Sequence, residues 1–339
     1  MFKPIYRITP YLLNLIDEAS SLKTWIELAP LQLAWLPLMQ KDARARQAHF
    51  STSIEGNALT LPEVKAVDRG ETVGHSRQHE LEVTNYLKAM IWISHNTKAN
   101  IDEKLVFNLH QIITHGLLDE KKSGCYKTRQ NYVVDDHKIR VHTPTSPSET
   151  PAAVADLLAW VNSNEAKNLH SILVCAIFHH RFVSIHPFSD GNGRLARAIS
   201  TLILYQREFD LHHIFSLDEF FAGELKRYYQ KIQQARGLDY DLTHWIEYVA
   251  EGVVATLKRT KKRIEDLQVT SSYPLAISRR QEETLRLLRD RRSVQVNDLM
   301  SELKVSRARI NQLIAPLIKG GIIIKEGESR ATRYKLNIH

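Results

Sequence analysis

The stretch His186-Pro187-Phe188-Ser189-Asp190-Gly191-Asn192-Gly193-Arg194-Leu195-Ala196-Arg197 decides how this chain is read. It follows one apolar helical pattern, Leu169 to Ile185, and opens another, Arg194 to Arg207, so it is a loop between two helices. Gly191 and Gly193 permit positive backbone dihedrals and close approach, which lets successive N–H groups converge on an anion. That site lies at the start of the second helix, where free amides and the helix dipole favour negative charge. Arg194 and Arg197 stand three residues apart in the first turn and oppose the dipole, which a bound polyphosphate explains better than two solvated cations. Asp190 offers a hard oxygen to a Mg²⁺ ion whose other ligands are phosphate and water, with an N-cap or turn role as the plainer alternative. His186 titrates near neutrality and can take a proton from an incoming hydroxyl, although a lone histidine after an apolar helix is more often structural.

The segment resembles the complete signature of the Fic-domain family, His-Pro-Phe-x-Asp-Gly-Asn-Gly-Arg-x-x-Arg, with every fixed position filled. The resemblance implies transfer of AMP from ATP to a Ser, Thr or Tyr hydroxyl of a protein, including this chain itself. On it, His186 is the general base and Asp190 the Mg²⁺ ligand. Gly191, Asn192 and Gly193 cradle the α- and β-phosphates, Arg194 and Arg197 clamp the distal ones, and Leu195 and Ala196 complete the ATP-binding segment. Kinase-like relatives carry Lys where this chain has Gly193, so adenylylation is favoured.

Three further segments match the same family. Tyr126 to Val141 alternates β-branched and polar residues around Asp135-Asp136-His137 and reads as a β-hairpin with a polar tip. It resembles the Fic flap, an edge on which a target segment adds as a strand, with Ile139, Arg140, Val141 and His142 lining the nucleotide and target path. Tyr228, beside Tyr229, falls where family members carry aromatics near adenine, with core packing as the alternative. Ser51-Thr52-Ser53-Ile54-Glu55-Gly56-Asn57 resembles the family's inhibitory motif. There Glu55 pairs with Arg197 and withdraws it from the γ-phosphate, leaving ATP bound unproductively. A reverse activity, removal of AMP with Glu55 positioning water, belongs to the same reading.

The 339 residues include 43% apolar and 8% aromatic side chains, the composition of a globular rather than a disordered chain. The fold class expected is mainly α: a Fic helical core with a β-hairpin flap, plus a small C-terminal winged-helix domain. Residues 1–80 read as an N-terminal helical arm with the inhibitory motif, 81–257 as the catalytic core, 258–274 as a basic linker and 275–339 as the winged helix. The last rests on three helical patterns, Ser278 to Arg289, Val296 to Leu303 and Ser306 to Leu317, followed by Gly320-Gly321 and a two-stranded wing. Of the formal charge of +8, the segment from Leu275 to His339 holds +7, from 14 Lys plus Arg and 7 Asp plus Glu. Arg307, Arg309, Asn311 and Gln312 are residue types that read base edges and phosphates, so duplex DNA is an expected partner of that module. A second copy of the chain is another expected partner. The competing function class is a DNA-binding regulator whose Fic core senses nucleotide.

Cys125 and Cys175 are too few for a disulfide framework, and the histidines lack zinc-cluster spacing. No apolar run is long enough to span a bilayer, and the N-terminus lacks a secretory h-region, so a cytoplasmic location without membrane attachment is expected.

Overall fold

The computed structural model describes residues 2–29, 36–134, 139–207, 209, 211–270, 279–291, 293–319, 322–327 and 332–337. The expected hairpin tip Asp135-Asp136-His137, residues 31–35 of the arm, 271–274 of the linker and Gly320-Gly321 lie outside these. The chain forms two compact units, Met1–Glu27 with Ala43–Thr260 and Leu28–Asp42 with Lys261–His339.

The first unit opens with helices α1 (Pro10–Leu28), α2 (Leu36–Ser53), α3 (Leu61–Asp68), α4 (Arg77–His95) and α5 (Glu103–Thr114), where α1 and α2 also reach into the second unit's residues. A two-stranded antiparallel hairpin follows, β1 (Val133–Val134) and β2 (Arg140–His142), and then α6 (Thr150–Val161) and α7 (Asn164–Asn168). Next come α8 (Ser171–Ile185), α9 (Asn192–Gln206), α10 (Asp218–Gly223), α11 (Leu225–Gly237) and α12 (Thr243–Thr270), which runs past the end of the unit. Local chemistry sets several starts. Thr60 and Glu63 form a capping box on α3, the Ser76 hydroxyl accepts the His79 N–H on α4, and Asp102 accepts the Leu105 N–H on α5.

Every residue of α8 except Arg181 is buried, and α9 is buried along almost all of its length. Helices that are covered all round belong at the centre of a bundle. α8 and α9 pack on each other, with α4 and α5 against α9 and α6 against α8. The loop joining the two central helices is thereby held from several sides. At the N-terminus an extended strap is tied on by the Leu242 N–H, which donates to the Ile5 carbonyl at 2.8 Å, and by Arg7 N–H to the Thr243 hydroxyl at 2.9 Å.

The second unit contains α13 (Arg279–Arg291), β3 (Val294–Gln295), α14 (Val296–Leu303), α15 (Arg307–Lys319), β4 (Ile323–Glu326) and β5 (Arg333–Leu336). Leu285, Leu288, Leu299, Leu303, Ile310, Ile314, Leu317, Ile323 and Tyr334 share one core. The strands form an antiparallel sheet in the order β3-β5-β4. The pair β4 and β5 lies where two strands were expected. Strand β3 was not foreseen, since two residues carry no period to read.

Three local readings change. The pattern Leu105 to Leu118 ends as a helix at Thr114, because the chain turns at Gly116 with φ 68°. The basic run Lys258 to Arg263, expected as linker, is helical within α12. α3 was not anticipated; its eight residues are too few for a clear apolar stripe. Among the described residues no helix is long and apolar enough to cross a membrane, and both cysteines are free thiols.

Candidate functional site

The loop from His186 to Arg197 is built by side chains that spend themselves on its backbone. His186 ends α8 in the left-handed region (φ 50°, ψ 62°), its N–H donating to the Phe182 carbonyl at 2.9 Å. Asn192 folds back on Phe188, accepting its N–H and donating to its carbonyl, both at 2.9 Å. Beneath, the His110 ring stacks on Phe188 with centroids 3.8 Å apart. Its Nδ1 accepts the Gly124 N–H at 2.8 Å, so Nε2 carries the proton and donates to the Asp190 carbonyl at 3.0 Å. Burial pushes His110 down to about 4, which keeps that tautomer at neutral pH. Gly191 turns the chain at φ 77°, with the Thr114 methyl 3.0 Å from where a Cβ would sit.

The approach to the hairpin clamps the same loop. The Lys127 N–H donates to the Pro187 carbonyl at 2.9 Å, and its Nζ to the Asn131 Oδ1 at 2.8 Å and the Ile185 carbonyl at 3.3 Å. Asn131 Nδ2 donates to the carbonyls of Phe188, at 2.9 Å, and His186, at 3.3 Å. Burial lowers the Lys127 ammonium to about 8.

His186 is half-buried. Its Nδ1 lies 3.3 Å from the Val183 carbonyl, so a neutral ring donates there and leaves the Nε2 lone pair free. Burial, reinforced by the Lys127 and Arg236 cations, holds it down at about 4, so the ring is neutral at physiological pH. Five residues on, Gly191 occupies the N-cap of α9 and brings no capping side chain. A helix start of this kind leaves its first amides without a capping side chain, the arrangement an anion site uses.

Arg194 is buried between Glu82, 3.5 Å from Nη1, and Asp190, 3.5 Å from Nη2. Its Nε and Nη1 lack hydrogen-bond partners, which fits a cradle whose anion completes the set. Arg197 donates from Nε to the Ser51 hydroxyl and from Nη2 to the Ser51 carbonyl, both at 2.8 Å, and from Nη2 to Glu55 Oε1 at 2.7 Å. Burial opposes its charge, yet Glu55, Tyr228, Tyr86 and Asp218 together hold its pKa above the ordinary guanidinium value. Glu55 reaches over the first turn of α9: its Oε1 is 2.4 Å from where a Cβ on Gly193 would sit.

The expected site residues therefore divide by role. His186, Asp190, Gly191, Gly193, Arg194, Arg197 and Glu55 meet at the start of α9. Asn192 has both polar side-chain ends engaged with Phe188, so it shapes the cradle from within and is not aimed at a ligand. Leu195 and Ala196 are wholly buried core residues. Tyr228 is 2% exposed with its hydroxyl 2.8 Å from His179 Nε2, which leaves it no face for a base; Tyr229 beside it is exposed. In the hairpin, Ile139 is 61% exposed and Val141 also faces solvent, Arg140 lies over the Tyr132 ring at 5.1 Å, and His142 Nε2 meets the Ser184 carbonyl at 2.9 Å. His110, Lys127, Asn131, Glu82 and Asp218 went unread, because each acts across a long sequence separation that no local spacing signals.

Asp190 is a lone carboxylate, its side chain 60% exposed, and no described cluster of three or more His, Cys, Asp or Glu side chains could hold a metal by itself. That donor set fits one protein oxygen on a Mg²⁺ ion whose remaining ligands come with a polyphosphate.

Residues 100–204 match the model of the Fic/DOC family. Over 169 residues the chain is 30% identical to "Protein adenylyltransferase Fic" of Drosophila grimshawi, covering 49% of this chain and 34% of that protein. The corresponding figures for the protein of the same name from Drosophila melanogaster are 29%, 49% and 33%. The chain thus spans about a third of the length of these curated relatives. A Fic family protein from Desulfovibrio desulfuricans G20 shares the fold over 99% of this chain and 98% of its own, with TM-score 0.69 and 24% identity. Residues 134–508 of Fic-1 from C. elegans do so over 77% and 74%, with TM-score 0.64 and 24% identity. The matched segment contains the complete loop from His186 to Arg197, all of α8, and α9 as far as residue 204, so over this segment the chain resembles a Fic domain.

Proposed function

We propose that this chain is a protein adenylyltransferase that moves AMP from ATP to a hydroxyl of a target protein and is held in check by Glu55. The observation that carries the proposal is the pairing of Arg197 Nη2 with Glu55 Oε1 at 2.7 Å over an uncapped helix start. In the forward reaction His186 Nε2 takes the proton of the attacking hydroxyl as its oxygen bonds the α-phosphorus. The bond from that phosphorus to the β-phosphate oxygen breaks, and pyrophosphate leaves. The α9 amides and Arg194 hold the phosphates in line, and Asp190 would hold Mg²⁺, which neutralises phosphate charge. With Glu55 in place Arg197 is engaged and cannot clamp the terminal phosphate. The exposed Ile139 and Val141 give a target segment an edge to add to.

The test follows labelled AMP from ATP onto the chain itself and onto lysate proteins. Glu55→Gly should label more strongly than wild type, and His186→Ala should not label; silence from both wild type and Glu55→Gly overturns the transferase reading. Label lost from a premodified target with wild type but not with Glu55→Gly would assign the reverse hydrolysis to Glu55.

The second unit supports a further partner. Arg307, Arg309, Asn311 and Gln312 are all exposed along α15, so this winged-helix-like module is read as binding duplex DNA. Binding by the full chain should weaken steeply as salt rises from 50 to 200 mM, the signature of released counterions. Salt-independent or absent binding overturns it.

A further inference from the structure

Arg197 stands between two carboxylates of different character. Glu55 meets Nη2 at 2.7 Å with its side chain 33% exposed, whereas Asp218, the first residue of α10, lies 3.5 Å from Nε with its side chain 2% exposed. Tyr86 and Tyr228 also adjoin the guanidinium, but burial raises both phenols, so they bring no negative charge at neutral pH. Two anions on one cation exceed what neutralisation needs, and the excess matters only when one of them leaves. A guanidinium left unpaired in so closed a site is strongly destabilising.

We propose that Asp218 is the standing counter-ion and positioning residue of Arg197, holding the guanidinium charged and in place when Glu55 withdraws. Burial raises the Asp218 carboxyl to about 6 against the pull of Arg197, so it is ionised at neutral pH. Asp218 Oδ1 has no hydrogen-bond partner of its own, which leaves it facing the guanidinium as a charge. The counter-ion role concerns this chain's own side chains alone; its use in holding ATP rests on the proposed transferase reading.

A double-mutant cycle decides it. Glu55→Gly and Asp218→Asn should each fold, because the other carboxylate still covers Arg197. The double variant should melt at least about 5 °C below the sum of the two single shifts. Additive shifts, or failure of Asp218→Asn to fold with Glu55 present, overturn the proposal. If only the double variant fails to fold, adding Arg197→Met should restore a cooperative transition, because no buried cation remains; continued failure overturns the proposal.

Binding of ATP and AMP separates positioning from mere support. In the Glu55→Gly background Asp218→Asn should weaken ATP about tenfold while changing AMP less than twofold, since only ATP carries terminal phosphates for Arg197. Equal weakening of both nucleotides overturns the positioning role. If Glu55→Gly itself binds ATP no more tightly than AMP, the nucleotide reading fails, and the melting cycle still decides the counter-ion role.

Discussion

The cradle between α8 and α9 and the hairpin of β1 and β2 lie close in sequence and are built on opposite plans. In the cradle, His110, Asn131, Lys127 and Asn192 converge on a handful of backbone atoms between Ile185 and Asp190. The hairpin pairs two residues with three, carries a register shift, and turns Val134, Ile139 and Val141 to solvent. The difference matches what the proposed function would ask of each region. In-line transfer tolerates little misplacement of the base or the phosphates, so their supports are fixed from several sides. A docking edge supplies backbone donors and acceptors to any extended segment, and it gains from side chains that face solvent.

The deepest break of this contrast is chemical. In the Glu55→Gly background, His186→Ala should lower the rate of AMP transfer by about 10²- to 10⁴-fold while leaving ATP affinity nearly unchanged, read by single-turnover labelling and calorimetry. Next comes the architecture of the loop. Asn192→Ala leaves a buried N–H and carbonyl of Phe188 without that partner and should cost about 1–3 kcal/mol in chemical denaturation.

Acid should destabilise the fold through its buried imidazoles. His110 is held at about 4 and His180 at about 3 in the fold against 6.5 for a free imidazole. The unfolded chain therefore binds more protons than the folded one as pH falls from 6.5 toward 4, and stability falls with it. Each imidazole contributes a slope of up to about 1.4 kcal/mol per pH unit. Asp218, raised to about 6, works in the opposite direction between about 6 and 4 but counts only once. Melting temperature measured from pH 7 to pH 4.5 should fall steadily, and His110→Gln should flatten the slope. The smallest effect belongs to the edge: Ile139→Ala with Val141→Ala should shift stability by less than about 0.5 kcal/mol. The same pair should raise the KM for a protein target several-fold with ATP affinity intact.

The first plan was legible in the sequence and the second only in outline. A glycine-bounded loop between two apolar helices carries its own punctuation, and the phosphate logic of its arginines is local. Hence His186, Asp190, Arg194 and Arg197 could be read from spacing, and Glu55 from a short motif 131 residues before His186. Asn192 and Tyr228 are engaged by Phe188 and His179, and a polar side chain beside a ligand site and one that builds the site look alike until their partners are seen. His110, Asn131 and Asp218 show no pattern in their own neighbourhoods. Their roles come from the packing of α5, the hairpin and α10 against the central pair, which is a property of the tertiary fold. The helices of the core were the easiest to foresee, since α8 and α9 are long and apolar, while the ends of α5 and the two-residue strand β3 depended on turns and partners.

The position of Gly193 ties the proposed restraint by Glu55 to the drift of the chain's own sequence. Any side chain there would put its first carbon 2.4 Å from Glu55 Oε1 and 3.1 Å from Arg197 Nη1. A variant that gained even a methyl group at 193 would have to shift the Glu55 carboxylate. Restraint would be lost through a residue on the opposite side of the contact, with Glu55 itself unchanged.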